Sequence, residues 1–177
     1  MRLFLLLSAC LLAPALSKQA AQMSHRLAGP AQETGLARTK PSSRPKVCGD
    51  LLQQYATKPA GVVFSGCKEA KPGGQTVAVA TYTVSGANSL NAERIFHEQY
   101  GMGNLTFLCC GWEPAQGKIG QVASAKLRKL SPDYTLLLMM YSDAQVIEQA
   151  MLRGDTAAFK NRRKVKRFIV EVKVVEI

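Results

Sequence analysis

The chain has few side chains of the kinds that build metal centres and catalytic bases. It holds two histidines, His25 and His97, and one tryptophan among 177 residues. A structural zinc site needs four ligands at short, regular spacings, and two distant histidines do not provide them. The sequence has no G-x-S-x-G elbow, and Gly73-Gly74 lacks the strand–turn–helix setting of a phosphate-binding loop. We therefore expect no cofactor, no metal and no catalytic residues, and a protein that is not an enzyme.

The longest apolar run, at residues 3–16, is too short to span a bilayer as a helix. It follows Met1-Arg2 and ends in Ala15-Leu16-Ser17, a pattern typical of a secretory signal peptide. We expect residues 1–17 to be removed near Ser17 and the protein to be periplasmic or secreted. A lipoprotein modified at Cys10 is the less favoured alternative, because the apolar run continues past that cysteine.

Residues 18–46 are predicted to form a disordered basic tether. They hold six cations and one acid, so this segment carries five of the eleven net positive charges. With no apolar periodicity it cannot bury enough surface to offset its ordering entropy. Because much of the basic charge lies outside the fold of an exported chain, we expect no nucleic-acid partner. An anionic membrane surface is an alternative partner for the tether.

Hydrophobic patterning in the remaining domain, residues 48–177, predicts an α+β fold. Residues 76–84 are β-branched, residues 168–177 alternate, and the apolar run 134–141 is expected to be a central strand covered on both faces. Two further strands are predicted at 61–68 and 105–110. Helices are expected after Asp50, after Ser89 or Asn91, and after a Ser142–Gln145 capping box. We expect a mostly antiparallel sheet with two or three helices packed on one face.

Four cysteines remain after signal removal: Cys48, Cys67, Cys109 and Cys110. An even number in an oxidising compartment indicates two structural disulfides. If residues 105–110 form a strand, the adjacent cysteines point to opposite faces, so each is expected to bond Cys48 or Cys67. The connectivity that joins Cys109 to Cys110 is less favoured because it strains the ring. A thiol-redox pair lacks the usual C-x-x-C spacing, and a His97–cysteine nucleophilic pair lacks an activating environment.

Two further features are candidates for binding a partner. Residues 160–167 (K-N-R-R-K-V-K-R) hold six cations, which form either a solvated connection or an electrostatic surface for an acidic partner. Trp112, with Glu113, is either a ring that caps the core or an exposed anchor. The candidate residues are Trp112, Glu113, Arg162, Arg163, Lys164, Lys166 and Arg167.

Several segments together resemble a known family. They are C-G-D-L-L (48–52), K-P-A-G-V-V-F-S-G-C (58–67), Y-T-V-S-G-A (82–87), Y-G-M (100–102) and C-C-G-W-E (109–113). This set is similar to an uncharacterised family of small exported bacterial domains, described as a domain of unknown function. The resemblance covers residues 48 to 141. It implies a cell-envelope location and paired cysteines, and no catalytic residues.

These observations lead to three hypotheses of function. The first is an inhibitor or immunity protein that binds an acidic-surfaced periplasmic effector or toxin, in a type VI secretion context for example. The second is a cell-envelope protein that binds anionic lipid or cell-wall polymer. The third is a thiol-redox protein that uses Cys109 and Cys110.

Overall fold

Five strands form one antiparallel sheet in the computed structural model, which describes residues 45–177. The strands along the chain are β1 (Val62–Glu69), β2 (Thr76–Val84), β3 (Leu105–Leu108), β4 (Gly111–Pro114), β5 (Gly120–Val122), β6 (Tyr134–Ser142) and β7 (Phe168–Glu176). The large sheet has the order β1-β2-β7-β6-β5, whereas β3 and β4 form a separate hairpin. The final strand therefore lies in the centre of the sheet, paired with β2 on one side and β6 on the other.

The helices are short except for the one that follows β2. They are α1 (Leu51–Tyr55), α2 (Gly86–Tyr100), α3 (Ala125–Arg128), α4 (Ala144–Leu152) and α5 (Ala157–Lys160), with 3-10 turns at Ala115–Gly117 and Arg162–Lys164. Apolar residues of α1, α2 and α4 share one core with the alternate residues of β7 (Phe168, Val170, Val172 and Val174). The predicted α+β class with a mostly antiparallel sheet is confirmed.

Strand β6 differs from the prediction that both of its faces are covered. Its buried residues alternate with Leu137, Met139 and Tyr141, which are only half-buried. These side chains share the outer face of the sheet with the charged pair Glu171 and Lys173 of β7. Residues 134–141 are continuously apolar because the outward positions of β6 also carry large apolar side chains. Composition alone does not distinguish such a strand from one that is buried on both faces.

Helix α2 begins earlier than predicted. Its N-cap is Ser85, whose side chain accepts a bond from the Asn88 N–H, and not Ser89 or Asn91. Gly86 opens the helix although glycine is a poor helix former. A Cβ at Gly86 would lie 2.3 Å from the carbonyl oxygen of Val165, and the Gly86 N–H donates to that same oxygen. The start of α2 is thus set by close backbone packing against a distant segment.

The first turn of helix α4 also differs in its capping residue. Asp143 is the N-cap and accepts from the Gln145 N–H, whereas Ser142 is the last residue of β6 and accepts from the Trp112 N–H over 2.8 Å. The helix ends at Leu152, two residues before Gly154, which has a φ of +69°. The predicted helix is therefore present, and its expected capping serine instead connects the sheet to the hairpin.

The start of the domain is held to the sheet by a disulfide and by one buried tyrosine. Cys48 bonds Cys67 of β1, across 19 residues of sequence separation. The Tyr82 hydroxyl on β2 accepts from the buried Leu52 N–H over 2.9 Å and donates to Asp50 over 3.1 Å. Burial raises the pKa of Tyr82, which keeps the hydroxyl protonated well above neutral pH. Burial also raises the pKa of Asp50, but bonds from Lys58, the Gln53 backbone and Tyr82 outweigh it and leave that pKa below its usual value.

We predict that Tyr82→Phe lowers the free energy of unfolding by about 1–3 kcal/mol, because the buried Leu52 N–H loses its acceptor. Urea unfolding followed by circular dichroism measures the change. Tyr141→Phe is the matched control, since Tyr141 is half-buried on the outer face, and we expect it to change stability little. Equal losses in the two variants would contradict a specific role for the Tyr82 hydroxyl.

Candidate functional site

The structure brings the two predicted partner-binding segments together. The hairpin β3–β4 carries Trp112, and the 3-10 turn Arg162–Lys164 lies beside it. The Arg162 guanidinium carbon is 5.9 Å from the centre of the Trp112 ring and 6.0 Å from that of Phe168. Cations over aromatic faces are attracted by the ring quadrupole. This contact joins two segments fifty residues apart in sequence.

Arg162 is the centre of a mostly buried polar network. Its guanidinium forms an ion pair with Glu93 of α2, in which both side chains are only 10% exposed. It also donates to the Ser89 hydroxyl over 2.9 Å and to the Ser89 carbonyl over 2.8 Å. The second oxygen of the Glu93 carboxylate accepts from the Leu105 N–H at the start of β3. One arginine thus connects the basic segment, the long helix and the hairpin.

Trp112 has internal partners and is half-buried. Its ring N–H donates to the Phe159 carbonyl over 2.8 Å, and its ring lies edge-on to Phe107, with centroids 5.7 Å apart. An anchor for a partner would expose its indole to solvent. The ring N–H of Trp112 is its only side-chain donor, and it is bonded inside the domain. Trp112 and Arg162 therefore have structural contacts inside the domain, which agrees with the alternative that Trp112 caps the core, and their role in binding a partner stays a prediction.

The remaining cations of the segment form an exposed group that we call the basic surface: Lys160, Arg163, Lys164 and Lys166. The Asn161 side chain accepts from the Arg163 N–H over 3.1 Å, and its carbonyl accepts from the Lys164 N–H over 2.8 Å. The backbone under these cations is therefore fixed at both Asn161 and Arg162. Glu113 is exposed on β4, and its negative charge sets it apart from the basic surface.

Arg167 differs from its neighbours because it has an acidic partner. Its guanidinium lies 2.5 Å from the Asp143 carboxylate, and its side chain is 46% exposed. Lys166 and Arg167 also line an open groove of about 360 Å³ with Ser85, Asn88, Thr83 and Val63. Two cations, a hydroxyl and an amide at one opening are suited to an anionic group. We call this opening the basic groove.

The cysteines pair differently from the prediction. Cys48 is bonded to Cys67, whereas Cys109 and Cys110 are both exposed and free, so the prediction that each of them bonds Cys48 or Cys67 is wrong. The reason is local. Strand β3 ends at Leu108, which pairs with Gly111, so the two cysteines form the hairpin turn between them. The alternation rule on which that prediction rested applies within a strand and not in a turn.

His97, which was considered for catalysis, and the acidic residues Glu93 and Glu98 of α2 all have structural partners. The His97 ring Nδ1 lies 2.8 Å from the Met102 carbonyl, and since a carbonyl only accepts, this nitrogen carries the hydrogen. Glu98 pairs with Arg94, while Glu93 is held by Arg162. Within residues 45–177, no group of three or more histidine, cysteine or acidic side chains is placed to hold a metal ion. No helix in that part of the chain is long and apolar enough to cross a membrane.

We predict that Arg162→Ala lowers the free energy of unfolding by about 3 kcal/mol or more, because it leaves the buried Glu93 carboxylate without its cation. Chemical unfolding measures the loss. Arg163→Ala removes the same charge from the neighbouring exposed position and is expected to change stability little.

A double variant tests the network itself. Combining Arg162→Met with Glu93→Gln removes both charges while leaving an oxygen for the Leu105 N–H. It should be less destabilised than the sum of the two single variants. Additive losses would show that the two side chains do not act as a pair.

Among known proteins and families, the chain matches one family model. No curated protein and no solved structure matches the chain. The matched model is a domain of unknown function, and its match runs from residue 37 to residue 112. It includes the positions of all four domain cysteines and ends at Trp112, before the segment that supplies Arg162. The predicted resemblance to an uncharacterised domain family is confirmed for residues 37–112, which match the domain of unknown function DUF4952.

Proposed function

We propose that this protein is a non-catalytic exported binding protein of the inhibitor or immunity type, which binds an acidic surface of an effector protein. The observation that carries the proposal is the basic surface, four exposed cations placed next to a buried, fully bonded arginine. In residues 45–177, none of the four takes part in an ion pair like the one between Arg167 and Asp143.

A fixed backbone beneath the cations favours protein recognition. The turn is fixed by the bond from Arg162 to the Ser89 hydroxyl and by the Asn161 side chain, which accepts from the Arg163 N–H. Binding then costs the entropy of a few side chains and not that of ordering a loop. Surface charges of one sign also raise the association rate with an oppositely charged partner, and salt screens this effect. The proposal therefore implies fast, salt-dependent association.

The basic groove supplies a place for one anionic side chain. Lys166 and Arg167 lie at its edge, and Ser85 and Asn88 at the start of α2 contribute hydrogen-bonding groups. A carboxylate of the effector that enters there would be met by two cations. Asp143 already neutralises part of the Arg167 charge, so Lys166 is the more available of the two.

An exported location is part of the proposal. The Cys48–Cys67 disulfide supports it, because such bonds persist in oxidising compartments. The predicted signal peptide (1–17) and tether (18–46) lie almost wholly in residues 1–44, outside the described residues, so they remain predictions from sequence. The lipoprotein alternative at Cys10 falls there as well.

The second candidate function is binding of anionic lipid or cell-wall polymer in the envelope. It is favoured by the six cations of residues 18–46, which would add to the basic surface. Polybasic segments near an anionic membrane gain about 1 kcal/mol per lysine or arginine. In contrast to an effector inhibitor, such a protein would bind phosphatidylglycerol vesicles with no protein partner present.

We predict that the triple variant Arg163→Glu, Lys164→Glu and Lys166→Glu slows association with the effector by about tenfold or more at low salt. The effector is first captured on the immobilised full chain from a cell-envelope extract, then purified. Surface plasmon resonance at two salt concentrations gives the rates. Arg162 is left unchanged, since its loss would disturb the fold.

The matched control is Lys126→Glu, Arg128→Glu and Lys129→Glu, which makes the same change of charge at exposed positions of and after α3. If both triple variants lose association equally, only net charge matters and the basic surface is not a specific site. If the wild type instead pellets with phosphatidylglycerol vesicles and captures no effector, the second function replaces the first.

A further inference from the structure

The tip of the β3–β4 hairpin carries two thiols in direct contact. The Cys110 sulfur lies 3.0 Å from the Cys109 sulfur, and the Cys110 thiol donates toward it. Both residues are exposed. The base of the hairpin is fixed, since Trp112 bonds Ser142 through its backbone and Phe159 through its ring. The thiol pair is thus presented to solvent on a rigid support.

The turn itself is unusual for a two-residue hairpin. Cys109 has a φ of +49°, in the left-handed region, and the Cys110 N–H donates to the Leu108 carbonyl over 2.5 Å. A hydrogen bond between residues i+2 and i, here Cys110 and Leu108, defines a γ-turn. The γ-turn whose central residue has a positive φ is the rare, strained form. Asparagine, aspartate or glycine would adopt positive φ at lower cost. Strained backbone of this kind concentrates at functional positions.

The surroundings make the two thiols unequal. The bond to Cys109 raises the pKa of the Cys110 thiol, as does the negative charge that Cys109 acquires on ionising, with a further contribution from Glu113. The Cys110 S–H is directed at the Cys109 sulfur, and a hydrogen bond in this direction stabilises negative charge on the Cys109 sulfur. The thiolate is the nucleophile in thiol–disulfide exchange.

We propose that Cys109 and Cys110 form a redox-active dithiol that exchanges with disulfide substrates through an intramolecular Cys109–Cys110 bond. The Cys109 thiolate attacks one sulfur of the substrate disulfide, forming a mixed disulfide and releasing the other half as a thiolate. Cys110 then loses its proton and attacks the Cys109 sulfur, which closes the protein disulfide and releases the second half. Two protein thiols are oxidised and one substrate disulfide is reduced to two thiols.

This site is distinct from the structural disulfide and from the basic surface. Cys48 and Cys67 are partly buried against the core, so they are expected to resist reduction. A bond between adjacent cysteines closes a small strained ring at an exposed tip, and strained or exposed disulfides are the more easily reduced. The proposal needs no acidic partner, so it stands or fails separately from the proposed function.

The test equilibrates the full-length chain in buffers of reduced and oxidised glutathione, then blocks free thiols with N-ethylmaleimide. Trypsin cuts after Arg94 and Lys118, so Cys109 and Cys110 share one peptide that holds no other cysteine. Cys48 and Cys67 lie in another, residues 47–68, because Pro59 blocks cleavage after Lys58. Mass spectrometry of the two peptides reports each pair separately.

We expect the peptide 95–118 to change reversibly between a doubly alkylated form and an unalkylated form about 2 Da lighter than the free dithiol. Its oxidised fraction should vary with the redox potential of the glutathione buffer as expected for a two-electron couple. Peptide 47–68 should stay oxidised in the same buffers. In Cys110→Ser, the mixed disulfide of Cys109 with glutathione should accumulate, because no second thiol resolves it. Cys109→Ser should be modified more slowly.

A second probe tests whether the two sulfurs are close enough to bind the same arsenic atom. Phenylarsine oxide condenses with two neighbouring thiols to give a cyclic dithioarsenite and water. One equivalent should protect both cysteines of the wild type from alkylation and neither single-serine variant. Separate glutathione adducts on the two wild-type cysteines, or bonds from Cys109 or Cys110 to Cys48 or Cys67, would overturn the proposal.

Discussion

The buried ion pair between Arg162 and Glu93 is the interaction on which the arrangement of this domain depends. Glu93 presents one oxygen to Arg162 and the other to the Leu105 N–H, so a single carboxylate fixes both the basic turn and the first strand of the hairpin to α2. A buried carboxylate without its cation is costly, and a pair with every polar atom bonded is tolerated. The bonds that Arg162 donates to the Ser89 hydroxyl and carbonyl complete this balance. The exposed cations beside Arg162 therefore owe their fixed positions to a residue that is itself mostly buried.

The position of Arg162 also shows that a domain match that ends at Trp112 covers only part of the sheet and its core. The indole of Trp112 contacts Arg162 on one side and bonds the Phe159 carbonyl on the other. Strand β7, in the centre of the sheet, lies beyond the match as well. Residues 37–112 alone would lack both the cation for Glu93 and the central strand. The segments that follow Trp112 thus supply part of the core that they share with residues 45–112.

Regular strands are the part of this fold that local sequence predicts well. Residues 76–84 and the last strand are predicted to within a residue or two, because β-branched or alternating side chains there agree with the pleat. Helix α2 begins at Gly86 because of a contact with Val165 that no local pattern records. Arg162 poses the same difficulty in the candidate site. In a run of six cations, nothing in the sequence separates the one that is buried from those that are exposed, since Glu93 lies in a distant helix.

The adjacent cysteines show how one local boundary changes a chemical conclusion. A strand that continued through Cys110 would send the two sulfurs to opposite faces, which favours two separate partners. With the strand ending at Leu108, the same two residues span a turn and their sulfurs come into contact. Cys48 and Cys67 are then left to bond each other across the start of the domain. Four cysteines of one chain thus divide by burial into a pair that holds the core and a pair that meets solvent. Only the second pair has access to a substrate.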